Sequence, residues 1–143
     1  MARIVLETGT AADPAALIEA LTTAKGIAAW WTDDVDYAGG AETSMRLGFP
    51  VAPLPFELTV ERVTDDNVVW RSTGAFPPHW ADTTMSWTVA PDGEGSTVSF
   101  THDGWASDDG PFAGAAYTWA QLLGTLTGYA ETGTEGPLFA RAG

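Results

Sequence analysis

The sequence predicts an α+β domain in which a long C-terminal helix closes over a curved antiparallel sheet. Two patterns carry most of this reading. Apolar and polar residues alternate with period two from Val35 to Phe100, as half-buried strands do, and an apolar stripe at helical spacing then runs from Phe112 to Tyr129. So broad a stripe needs a broad partner, and the apolar face of the sheet supplies one. Two short helical segments between a first strand and the sheet complete the order. At 143 residues the chain, 1–143, has the size of one domain and can bury about 70% of the surface its unfolded form exposes.

Each element has a local cause. Residues 3–8 (RIVLET) read as the first strand. Asp13-Pro14 then supplies an N-cap and a proline at the first helical position, which starts a helix from Pro14 to Thr22 with Leu17, Ile18 and Leu21 on one side. Lys25-Gly26 reads as a break before a second short helix carrying Ile27, Trp30 and Trp31. In the meander, Met45, Leu47 and Phe49 share a face, as do Phe56, Leu58 and Val60, then Val68 and Trp70, then Met85, Trp87 and Val89. The turn PDGEG (Pro91 to Gly95) leads to a last strand with Val98, Phe100 and His102 facing inward. Asp108, Asp109 and Gly110 before Pro111 mark the start of the closing helix, and Gly133 marks its end. That helix spans ~20 residues, or ~30 Å.

Composition excludes several functions. With 19 acidic against 6 basic residues the formal net charge is -13, so the chain repels phosphate backbones and anionic lipid surfaces, and neither nucleic acid nor membrane is an expected partner. The absence of cysteine rules out a disulfide framework, a thiolate zinc site and a cysteine nucleophile. Two histidines without close spacing make no transition-metal site, and Asp33, Asp34 and Asp36 before Gly39-Gly40 lack the ligand series of a calcium loop and read as a solvated acidic turn. Neither a phosphate-cradling glycine loop nor a nucleophile elbow is present, so no cofactor is expected. Glu57, Glu61, Arg46 and Arg71 fall on the polar faces of neighbouring strands and read as cross-strand ion pairs. The N-terminus, MARIVLETGT, enters a strand pattern without the features of a signal peptide, and no stretch has membrane-spanning length, so a cytoplasmic location is expected. One lysine (Lys25) among many Ala, Gly, Thr and Asp residues points to a GC-rich bacterial or a salt-adapted source.

Three segments together resemble one superfamily. The run IEALTTAKGIAAWW (Ile18 to Trp31) is similar to its first helix pair, STVSFTHDGW (Ser96 to Trp105) to its last strand, and WAQLLGTLTGYAETG (Trp119 to Gly133) to its closing helix. This is the START-like or SRPBCC superfamily, with the helix-grip fold of the birch pollen allergen, and the chain is most similar to bacterial single-domain members of the heat-shock ATPase activator type. The resemblance implies an apolar cavity between closing helix and sheet, used by different members for lipids, polyketides, plant phenolics or hormones. Co-chaperone activity is not expected to carry over, because the eukaryotic co-chaperones add a second domain and engage their partner through basic residues.

The expected function is therefore binding of a small hydrophobic molecule, planar ones included, by a monomer or homodimer and without catalysis. Trp31, Tyr37, Met45, Trp70, Trp87, Phe100, Trp119 and Leu123 are the candidate wall, and His102 a candidate polar anchor. Packed core is the competing reading for the aromatics, and a histidine satisfied by its neighbours the competing reading for His102. Gly124 and Gly128 beside Trp119 and Leu123 leave part of the closing helix low, which predicts a cavity there. His79, in the proline-stiffened FPPHW loop (Phe76 to Trp80), is placed at the rim or in solvent. The rival functions are a polyketide cyclase or aromatase, for which His102 is the one inward acid or base, and a protein-interaction module. Crowded carboxylates predict that the melting temperature rises by a few degrees as salt shortens the Debye length from ~30 Å at 0.01 M to ~3 Å at 1 M. A flat melting temperature in a salt series at constant pH would contradict this.

Overall fold

A computed structural model of the chain describes residues 2–50 and 52–140. The elements follow in the order β1 (Ala2–Thr10), α1 (Pro14–Thr22), α2 (Ala24–Trp30), β2 (Asp34–Tyr37), β3 (Thr43–Gly48), β4 (Phe56–Val63), β5 (Asn67–Ser72), β6 (Thr84–Asp92), β7 (Gly95–Trp105) and α3 (Pro111–Thr132), with a 3₁₀ turn at Pro78–Trp80. The strands form one antiparallel sheet in the order β1-β7-β6-β5-β4-β3-β2. Because β1 and β2 occupy opposite edges, the α1–α2 connection must cross the whole sheet. With α3 it grips the inner face of an open, curved sheet, the helix-grip α+β arrangement.

Strand parity places the core where the alternation predicts. Met45, Leu47, Leu58, Val60, Val68, Trp70, Met85, Trp87, Val98 and Phe100 are all buried on that inner face. The β6–β7 hairpin turns over Gly93 at φ 62°, the left-handed conformation that favours glycine in a two-residue loop, and Asp92 pairs with Gly95. Asp13 caps α1 by accepting a hydrogen bond from the Ala16 N–H (2.8 Å). In α3, Trp119, Leu122, Leu123 and Leu126 are buried, and Gly133 ends the helix at φ 74°.

The structure corrects three details of the sequence reading. The break between the first two helices lies at Thr23, whose hydroxyl accepts from the Gly26 N–H (3.0 Å), so Gly26 is inside α2. Its lack of a side chain serves packing: a Cβ there would sit 2.6 Å from Ala20 Cα, and the Trp30 indole crosses the same contact to donate to Ala20 O (2.8 Å). Asp34 and Asp36 belong to β2 rather than to a turn. Arg71 pairs with Glu61 (3.0 Å) as expected, whereas Arg46 pairs with Asp34 of β2 (3.7 Å) and not with Glu57, although Glu57 of β4 lies directly opposite it in register. The closing helix starts at Pro111 as expected, after Gly110, which offers no side-chain cap.

The α1–α2 contact yields a test. Gly26→Ala should destabilise the protein by roughly 1–3 kcal/mol, because backbone atoms of Ala20 cannot move aside as a flexible side chain would. Lys25→Ala, at the adjacent exposed position, is the control. Equal urea midpoints for the two variants would contradict the packing argument.

Candidate functional site

An apolar pocket of about 260 Å³ opens beside the first half of α3. Its wall comes from separate parts of the chain: Trp31 at the end of α2, Phe49 and Ala52 from the β3–β4 connection, and Phe56 at the start of β4. The 3₁₀ turn supplies His79 and Trp80, and the chain beyond α3 supplies Phe139. From α3 itself come Pro111, Gly114, Ala115, Thr118, Trp119 and Leu122. The low ground on the helix is thus Gly114 and Ala115, not Gly124 and Gly128, which face solvent on its outer side.

The rings pack among themselves as well as lining space. Trp80 stacks on Trp119 (centroids 5.8 Å apart, 18°), and Trp31 lies 5.2 Å from Trp119. No Asp, Glu, Lys or Arg among the described residues borders the pocket. Its polar side chains are Thr118 and His79. The Thr118 hydroxyl donates to Gly114 O (3.0 Å), which leaves it an acceptor. His79 stacks on Trp105 (5.4 Å, 30°), and desolvation pulls its pKa below the ordinary 6.5, so near pH 7 its neutral ring can donate or accept one hydrogen bond.

Of the nine residues nominated from sequence, Trp31 and Trp119 border this pocket. Met45, Trp70, Trp87, Phe100 and Leu123 belong to the packed core. Tyr37 is buried in β2, donates to Gly40 O (2.7 Å), and has its pKa pushed up to about 12 by burial. What fills the middle of the sheet is Trp30, which stacks on Trp70 and meets Trp87 edge to face (5.8 Å, 75°). Parity could have nominated Phe49 and Phe56, which share a face with buried strand residues, and the FPPHW loop contains Trp80. Nothing in the local pattern points to Phe139.

His102 is fully buried and lies behind the pocket wall. The Trp119 indole, which can only donate, bonds His102 Nδ1 (3.0 Å), so the imidazole proton resides on Nε2. Nε2 then donates to Thr83 Oγ1 (2.9 Å), and that hydroxyl donates to Trp80 O (2.6 Å). Both ring nitrogens are engaged and neither reaches the pocket. His102 therefore positions two wall tryptophans, Trp80 and Trp119, and the geometry gives it no contact with a ligand there.

The fold is that of a START-like helix-grip protein. The model of the family described as Activator of Hsp90 ATPase homolog 1-like protein matches residues 11–131. The chain belongs to that family. Among solved structures it is similar to the Aha1 dimer from Colwellia psychrerythraea, with 28% identity and a TM-score of 0.84 over 93% of this chain and 98% of that one. DynU16, from the dynemicin biosynthetic locus, shares the fold at 20% identity and a TM-score of 0.77, over 97% of this chain and 51% of that one. So does the KanY protein, at 21% and 0.69, over 91% and 97%. No match is found among curated protein sequences. Among the described residues no helix is long and apolar enough to cross a membrane, and no cluster of His, Cys, Asp and Glu has the geometry to hold a metal ion.

The buried histidine links stability to pH. Burial, with a smaller contribution from His79, lowers its folded-state pKa to about 3, so below pH ~6.5 the unfolded chain takes up a proton that the folded chain refuses. Its contribution is thus complete above pH ~6.5 and is lost by ~1.4 kcal/mol per pH unit as the pH falls toward 3. His102→Leu should cost roughly 2–3 kcal/mol at pH 7, chiefly by orphaning the Trp119 N–H, and should flatten the slope between pH 7 and 5. Parallel slopes for the two proteins in urea titrations would refute this.

Proposed function

We propose that this protein binds a small, uncharged, largely aromatic molecule in the pocket beside α3, and that no catalysis is required. The observation that carries this reading is the wall: aromatic rings converge from six separate segments on an open volume of about 260 Å³ without a charged side chain. Ring faces suit flat apolar ligands, and the sparse polar groups, His79 and Thr118, suit one hydroxyl or carbonyl on such a ligand. The volume lies just below the ~300–1,000 Å³ of pockets for drug-sized molecules, which favours a one- or two-ring compound. An anionic ligand would meet both the -13 net charge and a wall with no counter-charge. The wall comes from a single chain, so binding does not need a second copy. A monomer or a homodimer fits equally, and the Colwellia relative is described as a dimer.

A neutral two-ring probe, 2-naphthol, should quench tryptophan fluorescence with a Kd on the order of 10 μM, corresponding to roughly -0.6 kcal/mol per heavy atom. Gly114→Leu separates binding from folding. A Cβ at Gly114 meets nothing within 4 Å, so the new side chain can fill the pocket while removing a helix glycine that costs ~1 kcal/mol. The variant should melt at or above the wild-type temperature and bind 2-naphthol at least about tenfold more weakly. Unchanged affinity in a well-folded variant would sink the reading.

A further inference from the structure

Beyond Gly133 the chain turns back as an extended strap, residues 134–139, across the end of α2. The Gly136 N–H donates to Ala29 O (2.9 Å), Leu138 to Trp30 O (3.2 Å) and Phe139 to Trp31 O (2.9 Å). Thr32 and Phe139 form a parallel bridge. These bonds satisfy carbonyls that a helix end leaves open. They also deliver the Phe139 ring to the pocket wall, edge-on to Phe49 at 5.2 Å and 87°.

The attachment is light. Leu138 and Phe139 are only half-buried where they pack against the edge of the core, and Glu135 and Gly136 are exposed. Release would leave Trp30 O satisfied, since the Thr125 hydroxyl also donates to it (2.7 Å). The left-handed Gly133 at its root (φ 74°) provides a hinge. Segments with few buried contacts and solvent-facing backbone bonds are the ones that open locally without global unfolding.

We propose that this strap is the releasable wall of the pocket: Phe139 sets the largest ligand the closed cavity accepts, and bulkier ligands enter by displacing the strap. The proposal rests on the pocket reading and adds how the site admits and sizes its ligand.

Two measurements test it. In the intact protein, hydrogen exchange of the Gly136, Leu138 and Phe139 amides should run at least about a hundredfold faster than that of Trp87 and Phe100 in the central ladder. Stopped-flow binding then compares 2-naphthol with the bulkier neutral N-phenyl-1-naphthylamine on wild type, on a chain ending at Gly133, and on Phe139→Ala. The truncated chain should bind the bulkier probe about tenfold faster and tighter, whereas 2-naphthol, which loses the Phe139 ring as a contact, should bind no tighter than to wild type. Phe139→Ala, which keeps the backbone bonds, should show the gain in affinity with a smaller gain in rate. Strap amides that exchange only with the core, or equal changes for both probes, would overturn the proposal while leaving the pocket reading intact. Failure of both probes to bind any of the three chains would remove both readings, and failure of the bulkier probe alone would overturn the strap proposal. If the truncated chain does not fold, the exchange rates and Phe139→Ala decide alone.

Discussion

The hydrogen bond from the Trp119 indole to the unprotonated Nδ1 of His102 fixes how the closing helix sits on the sheet. A donor-only group selects the tautomer, the tautomer makes Nε2 a donor, and the resulting chain runs through Thr83 to the carbonyl of Trp80. One polar relay thereby sets a strand, a helix and a loop relative to one another inside a largely apolar interior. Each group in it is satisfied only while the imidazole is neutral, which is why burial and bonding favour the same protonation state. The two tryptophans that the relay holds are stacked on one another and form one side of the pocket.

Where the pocket lies follows from what fills the rest. The helix pair carries Trp30 and Trp31 as neighbours. Trp30 enters the middle of the sheet, stacking on Trp70 and bonding Ala20 O, so the volume under the centre of α3 is occupied by an indole. Trp31 stacks on the other side of the same assembly and presents an edge of it to open space. Beyond that point α3 offers Gly114 and Ala115, too small to reach the sheet. The cavity is the remainder left where large rings stop and small helix residues begin.

Much of this was legible in the sequence, and the parts that were not share a cause. Period-two alternation identified the inward faces of β3 to β7, and helical spacing identified Trp119, Leu122, Leu123 and Leu126, because burial on a regular element repeats with the element's own period. Periodicity says which way a side chain points but not what it meets. Trp70, Trp87 and Phe100 do point inward, and they meet Trp30 or Trp119 rather than open space. Gly26 looked like a helix break because glycine usually is one; only the close approach of Ala20 explains why it sits within a helix. Phe139 was out of reach altogether, since a ring in an aperiodic strap acquires its place through backbone bonds to residues more than a hundred positions earlier.

The distribution of charge completes the physical picture. Acidic residues crowd the chain, yet from Pro111 to Ala130 the closing helix carries no charged residue, and none borders the pocket among the described residues. The ion pairs Arg71–Glu61 and Arg46–Asp34 lie partly exposed, where water screens them and they contribute little to stability. Stability must therefore come from the packed rings and the relay they enclose. Solubility comes from a surface that plays no part in either. An interior arranged this way has no counter-charge to offer, so transferring an ionised ligand into it would cost several kcal/mol with nothing to offset the loss of hydration. On the proposed function, the same segregation that keeps His102 neutral selects for neutral ligands. Packing and the proposed specificity then have one origin, the exclusion of charge from the space between α3 and the sheet.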